Sequence, residues 1–275
     1  MVLGSGGPEL DDGRASTGYL VLEAGRARAL VDLGPGSLRS LEDVPGRPVE
    51  TIEGVYLTHL HADHVGDLPS LVKGSYFTAR ETPLPVAGPA GNHRMPGLED
   101  YLDALFDADR GAYRYLADHW RGEPPADIRL STRVVDGAAS LVEDGLWQVR
   151  TAPVEHGPIP ALGYRFDSGS RSVVFTGDLS ATTPAFEAIA AGASLIVAHH
   201  AIPEAAGRGA RSLHLPPSGL GELAQRAEAS AMLLSHRMRR TDGHEAETLA
   251  IIRERFDGAV AFAEDGACHA VPALP

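Results

Sequence analysis

The chain has 275 residues, of which 37 are acidic and 24 basic, giving a formal charge of −13. Its 43% hydrophobic and 22% charged residues are the make-up of a folded protein with a sizeable core, which excludes a disordered chain. The acidic balance weighs against an extended nucleic-acid backbone as partner, and no apolar run approaches the ~20 residues of a membrane span. The start MVLGSGGPELDD turns to glycine and acid too early for a secretory leader, so a cytoplasmic protein is expected. Cys268 is the only cysteine, which excludes an intramolecular disulfide and thiolate metal clusters. Metal chemistry would have to rest on histidine and carboxylate.

Short aliphatic and β-branched runs predict strands over 19–22, 29–33, 55–58, 147–154, 171–176, 195–198, 232–235 and 260–263, each bounded by Gly, Pro or Asp. Helical spacing predicts helices over 98–120, 217–229 and 245–256. In the first, Leu98, Tyr101, Leu102, Leu105 and Phe106 form an apolar face suited to packing on a sheet. Strands cluster near the start and again around 128–176, which favours two sheets with helices outside over one doubly wound sheet. Gly122–Ala126 and Gly207–Ser218 read as loops that either line a site or connect elements. No linker divides the chain, so a single α/β domain over 1–275 is expected.

Directly after the apolar run Gly54–Leu57 come His59, His61, Asp63 and His64, four potential ligands at the end of one predicted strand. Neutral imidazole and carboxylate suit Zn(II), Mn(II) or Fe(II), and a turn lets such donors converge. His59 and His61 are two apart, so an extended segment aims both the same way. Isolated histidines carry no such signal, and His93, His119, His244 and His269 are read as solvent-facing.

The motif resembles the first signature of the metallo-β-lactamase superfamily. Further matches follow in the family's order: Asp32-Leu33-Gly34 after a strand, Val154-Glu155-His156, Phe175-Thr176-Gly177-Asp178, and Leu234-Ser235-His236. The resemblance implies a four-layer αββα sandwich with its metal centre between the two sheets at one edge. It implies His59, His61 and His156 on one cation, Asp63, His64 and His236 on a second, and Asp178 bridging them. Zinc is the first expectation, with manganese or iron served by the same ligands. A carboxylate at Asp178 points away from the antibiotic-hydrolysing members that place a thiolate there, and His61 away from the flavodiiron oxidoreductases.

Leu3-Gly4-Ser5-Gly6-Gly7-Pro8, Pro85-Val86-Ala87-Gly88-Pro89-Ala90-Gly91 and His214 resemble the ribonuclease Z and arylsulfatase-like branch. There a histidine near His214 assists protonation of the leaving group, so Asp63 and His214 are the expected catalytic residues. The branch's His-Ser-Thr reads His214-Leu215-Pro216 here, and His199 stands where an acid is expected. The leading expectation is therefore a dinuclear hydrolase of small anionic esters, arylsulfates or phosphodiesters, with a possible homodimer implied by the branch. A ribonuclease Z type endonuclease on tRNA precursors is the alternative, followed by a lactonase or carboxylic-ester hydrolase. Arg237, Arg239 and Arg240 are read as a solvated cluster.

Overall fold

The computed structural model describes residues 1–46, 48–122 and 129–273. Two sheets are formed. The first holds β1 (Val2–Gly4), β2 (Gly18–Glu23), β3 (Arg26–Leu33), β4 (Gly54–Tyr56), β5 (Leu84–Pro89) and β6 (Leu130–Val135), in that spatial order. The second runs β13 (Ala259–Phe262), β12 (Ala231–Ser235), β11 (Leu195–His199), β10 (Arg171–Phe175), β9 (Ile159–Ser168), β8 (Trp147–His156) and β7 (Ala139–Asp144). Each sheet joins an antiparallel part made by hairpins to a parallel part, β3–β6 in the first and β10–β13 in the second. Parallel neighbours need a crossover, and helices supply it. These are α1 (Pro48–Thr51), α2 (Ala62–Val65), α3 (Leu68–Ser75), α4 (Leu98–Phe106) and α5 (Ala117–Trp120) in the first half, and α6 (Pro184–Ala190), α7 (Arg208–Arg211), α8 (Pro217–Arg226) and α9 (Glu245–Arg253) in the second.

Strand alternation sorts the apolar side chains into three layers. Along β3, Ala29 and Val31 face the other sheet, while Leu30 and Leu33 pack with Leu71, Leu102 and Phe106 of the first helical layer. Along β11, Leu195 and Val197 face inward, whereas Ile196 and Ala198 meet Phe186, Leu220 and Ile252 of the second helical layer. The inter-sheet core is closed by Tyr56, Tyr164, Phe166 and Phe175, and the Tyr164 hydroxyl donates to Leu57 O of the opposite sheet at 2.9 Å. Two sheets flanked by helices are the αββα arrangement that the sequence predicts.

The predicted helix over 98–120 is interrupted. α4 stops at Phe106 because the Asp107 carboxylate accepts from the backbone of Asp109 and Arg110, turning the chain, and only α5 resumes. β9 escapes the sequence reading because Pro160 and Gly163 look like breakers. Pro160 sits by the hairpin end, paired with Glu155, and Gly163 is required where the Phe186 ring would lie 2.2 Å from a Cβ. His119 is buried near Tyr76, contrary to the solvent-facing reading, while His93 and His244 are exposed as expected. Beyond Gly122, the predicted loop to Ala126 lies outside the described residues. Among the described residues, no helix is long and apolar enough to cross a membrane.

Candidate metal centre

The parallel strands of both sheets, together with antiparallel β8, bring polar side chains to one edge. β3 ends on Asp32 and Leu33, β4 leads into Thr58 and His59, and α2 supplies Asp63 and His64. From the second sheet, β10 leads to Asp178, β11 ends on His199, β12 leads to His236, and β8 ends on His156. Carboxyl ends of parallel strands are where α/β folds place their sites, because the loops there are free to vary. The two edges are locked together by Leu162 N donating to Thr58 O at 2.8 Å. Gly177 makes the close approach possible: at φ +59, a Cβ there would lie 2.9 Å from Thr58 Cβ.

Asp178, 2% exposed, is the hub. Its Oδ2 lies 3.7 Å from His64 Nε2, 3.7 Å from His156 Nε2, 3.8 Å from His214 Nδ1 and 4.0 Å from His59 Nε2. Its Oδ1 lies 3.4 Å from His236 Nε2 and 2.8 Å from His199 Nδ1. Donor atoms of His59, His61, His156 and Asp178 all lie within 4.8 Å of one another, and so do those of His64, Asp178, His199 and His236. Asp63 joins the second group through its Oδ2, 3.2 Å from His236 Nε2 and 3.6 Å from His64 Nε2. The seven residues expected as ligands are thus brought to one place.

Three of the imidazoles are aimed by a polar contact on the far side. His64 Nδ1 donates to Asp32 Oδ2 at 2.8 Å, His156 Nδ1 to Leu213 O at 2.8 Å, and His59 Nδ1 lies 3.1 Å from Thr58 Oγ1, itself bonded to Asp32. That leaves Nε2 of His59, His64 and His156 facing the hub, buried and without a hydrogen-bond partner among the described residues. Orphaned buried nitrogens cost about 1–3 kcal/mol each, so several converging on one carboxylate make sense as lone pairs directed at cations. These clusters are suited to metal ions, with an all-N/O donor set of the kind zinc, manganese and iron share.

The electrostatics divide the rings: burial prevails at some, whereas at His64 and His236 burial is outweighed by the surrounding carboxylates, which favour the cation. Burial, the largest influence on each, lowers His59, His61 and His156 below their usual pKa and favours the neutral, donating ring. Burial likewise takes His199 to about 4 and His214 to about 3. Burial alone would raise Asp178, but the histidines around it, His236 foremost, outweigh that and hold it well below the carboxylate range. His64 is pushed up to about 9, burial opposing its cation and Asp32 and Asp178 prevailing.

Asp32, which the family-like Asp32-Leu33-Gly34 motif had marked, is fully buried at φ +55 and accepts from Thr58 N, Thr58 Oγ1 and His64 Nδ1. Tyr19 was not legible as part of the site. Tyr19 bonds His199 Nε2 through its hydroxyl at 3.1 Å, leaving His199 strung between Tyr19 and Asp178. His200, next to His199 in sequence, turns away to Thr248 Oγ1 at 3.3 Å. Arg237 pairs with Asp242 and Glu245, and Arg239 with Asp11, whereas exposed Arg240 meets carbonyl and sulfur partners, Ala201 O and Met238 Sδ.

Gly7 backs the His236 ring: a Cβ there would lie 2.8 Å from Cε1 and 3.2 Å from Nδ1. Gly7→Ala is expected to displace the ring, lowering turnover roughly ten- to a hundredfold with partial loss of bound metal. Kinetics and metal analysis on one sample check this. Unchanged metal content and rate would show that the ring has room to yield.

Fold and donor clusters together define the class: the chain belongs to the β-lactamase superfamily, whose domain profile matches residues 27–237. Within it the sequence is similar to ribonuclease Z. It is 37% identical over 205 residues to ribonuclease Z of Mycobacterium avium, covering 71% of this chain and 68% of that one. It is 31% identical over 278 residues to ribonuclease Z of Mycolicibacterium gilvum, covering 96% and 93%. Among solved structures, the short form of human tRNase Z superposes with a TM-score of 0.74 at 21% identity, covering 99% and 98%, a likeness of fold. These relatives overturn the expectation that net acidity disfavours nucleic acid. A chain-wide charge averages over surfaces that never meet the ligand, and a cation such as Arg240, four residues past His236, vanishes in that average. None of these relatives supports the arylsulfate reading.

Proposed function

We propose that the chain is a metal-dependent endonuclease of the ribonuclease Z type, hydrolysing a phosphodiester bond in tRNA precursors. The observation that carries this is the 31% identity to a ribonuclease Z over 96% of the chain, combined with a convergent His/Asp centre. We assign His59, His61 and His156 to one cation, Asp63, His64 and His236 to a second, and Asp178 to both. Zinc is the first candidate. Because the assigned ligands come from both sheets, the reading takes 1–275 as one domain.

Divalent cations, if held by these residues, would supply the Lewis acidity that displacement at phosphorus requires. The chain's own groups do the rest. Asp63, whose Oδ2 lies 3.2 Å from His236 Nε2 in the same donor group, is the carboxylate we assign to orient the attacking water and accept its proton. We assign protonation of the departing oxygen to His214, 8% exposed at the edge of the cluster, which burial holds neutral until the negative charge of a bound phosphate favours its cation. Arg240 adds positive charge at the rim for a polyanionic substrate.

Metal-replete protein incubated with a 3′-extended tRNA precursor, bis-p-nitrophenyl phosphate and p-nitrophenyl sulfate tests the reading. Cleavage of the precursor near its mature 3′ end is expected, with about two metal equivalents by mass spectrometry. Chelation should abolish cleavage and zinc should restore it. Sulfate turnover without RNA cleavage would return the leading place to a small-ester hydrolase.

A further inference from the structure

Beside the cluster, where the sheets part, lies a cavity of about 380 Å³ that holds none of the assigned ligands. Its inner wall includes Val154, two residues before His156 on β8, and Leu162 on the paired β9, which puts the cavity beside the strand end that carries a cluster histidine. Pro89, Pro153 and Pro160 add flat, rigid apolar faces of the sort against which a planar ring packs without ordering a flexible side chain.

The outer wall is the loop after β5, and it is built rather than slack. Asn92 Oδ1 accepts from Arg94 N at 2.8 Å and Met95 N at 2.9 Å, while Asn92 Nδ2 donates to Pro158 O at 3.0 Å across the mouth. This holds Arg94 at the rim. Its Nε lies 3.2 Å from His93 Nε2, and among the described residues its guanidinium meets no carboxylate, unlike those of Arg237 and Arg239. Two carboxylates, Glu155 and Asp136, also border the cavity. They would repel a phosphate yet accept from the amino and imino groups of a base. The cavity thus offers a cation on one side, acceptors on another and apolar walls between, which matches the anion, edge and face of one nucleotide.

We propose that this cavity seats the nucleotide adjoining the scissile bond, its base against the proline walls and its phosphate on Arg94. The assignment rests on the RNA-hydrolase reading and names where that substrate is gripped.

The test measures kcat and KM on a 3′-extended tRNA precursor across a salt series, for metal-replete wild type, Arg94→Ala and Arg94→Lys. Arg94→Ala is expected to raise KM about tenfold with kcat within about twofold, and to flatten the slope of log(kcat/KM) against log salt by about 0.7, one phosphate contact. Arg94→Lys should keep the slope and recover part of the KM, since the charge remains but the planar fork is lost. An Arg94→Ala enzyme with wild-type KM and slope, or one that loses kcat alone, overturns the subsite while leaving RNA cleavage intact. A wild type that turns over bis-p-nitrophenyl phosphate but not the precursor overturns the nuclease reading, and the subsite with it.

Discussion

Asp178→Ala is expected to lose at least about a thousandfold in kcat, roughly 4 kcal/mol of transition-state stabilisation, and to retain less than the wild-type metal complement. The reason is positional. One carboxylate lies 3.4–4.0 Å from inward-facing nitrogens of His59, His64, His156, His214 and His236, on elements of both sheets. Removing it leaves those rings without the anion they surround, and any pair of cations without a shared ligand. Asp178→Asn keeps the shape and isolates the charge, so it should be nearly as impaired. Metal analysis beside turnover gives the decision: two retained equivalents with near-normal activity would remove Asp178 from the centre.

A comparably large effect is expected at Asp32, but on stability. Its carboxylate satisfies Thr58 N at 2.7 Å, Thr58 Oγ1 at 2.8 Å and His64 Nδ1 at 2.8 Å in a fully buried position. Asp32→Ala strands all three donors, for which a loss of about 3–5 kcal/mol is expected, lowering Tm by about 10 °C in a chain of this size. Asp32→Asn tolerates the positive φ and keeps the volume, but its amide must turn an N–H toward one of those donors. It should fold better than the alanine variant and bind metal some ten- to a hundredfold more weakly, because His64 loses the partner that aims it. Calorimetry with metal titration separates the two effects. An alanine variant melting within 2 °C of wild type would show that Asp32 is dispensable to the fold.

The donor cluster was readable because its residues are chemically rare combinations at strand ends: three histidines and an aspartate within six positions, then Asp178 and His236 after aliphatic runs. The two-sheet architecture followed from strand clustering. What escaped is what depends on distance along the chain. Leu213 aims His156 through a carbonyl, which any residue could supply, and Tyr19 meets His199 across 180 positions. The direction in which His200 points is set by packing against α9, not by its neighbours in sequence. α4 is cut short by Asp107, whose side-chain capacity to cap a turn competes with an otherwise unbroken helical pattern. The whole-chain charge misled most, because recognition is local and a sum is not.

The span of the centre has a consequence for how it comes into being. Asp63 and His236, 3.2 Å apart in the folded molecule, are separated by 173 residues of chain. At roughly 5–20 residues per second, the first sheet, finished at Val135, and its four clustered donors would be made about five to twenty seconds before His236. Through that interval the growing chain exposes a partial set of donors with no opposing edge to complete it. On the proposed ligand assignment, high-affinity loading would therefore be a late event, gated by docking of the second sheet.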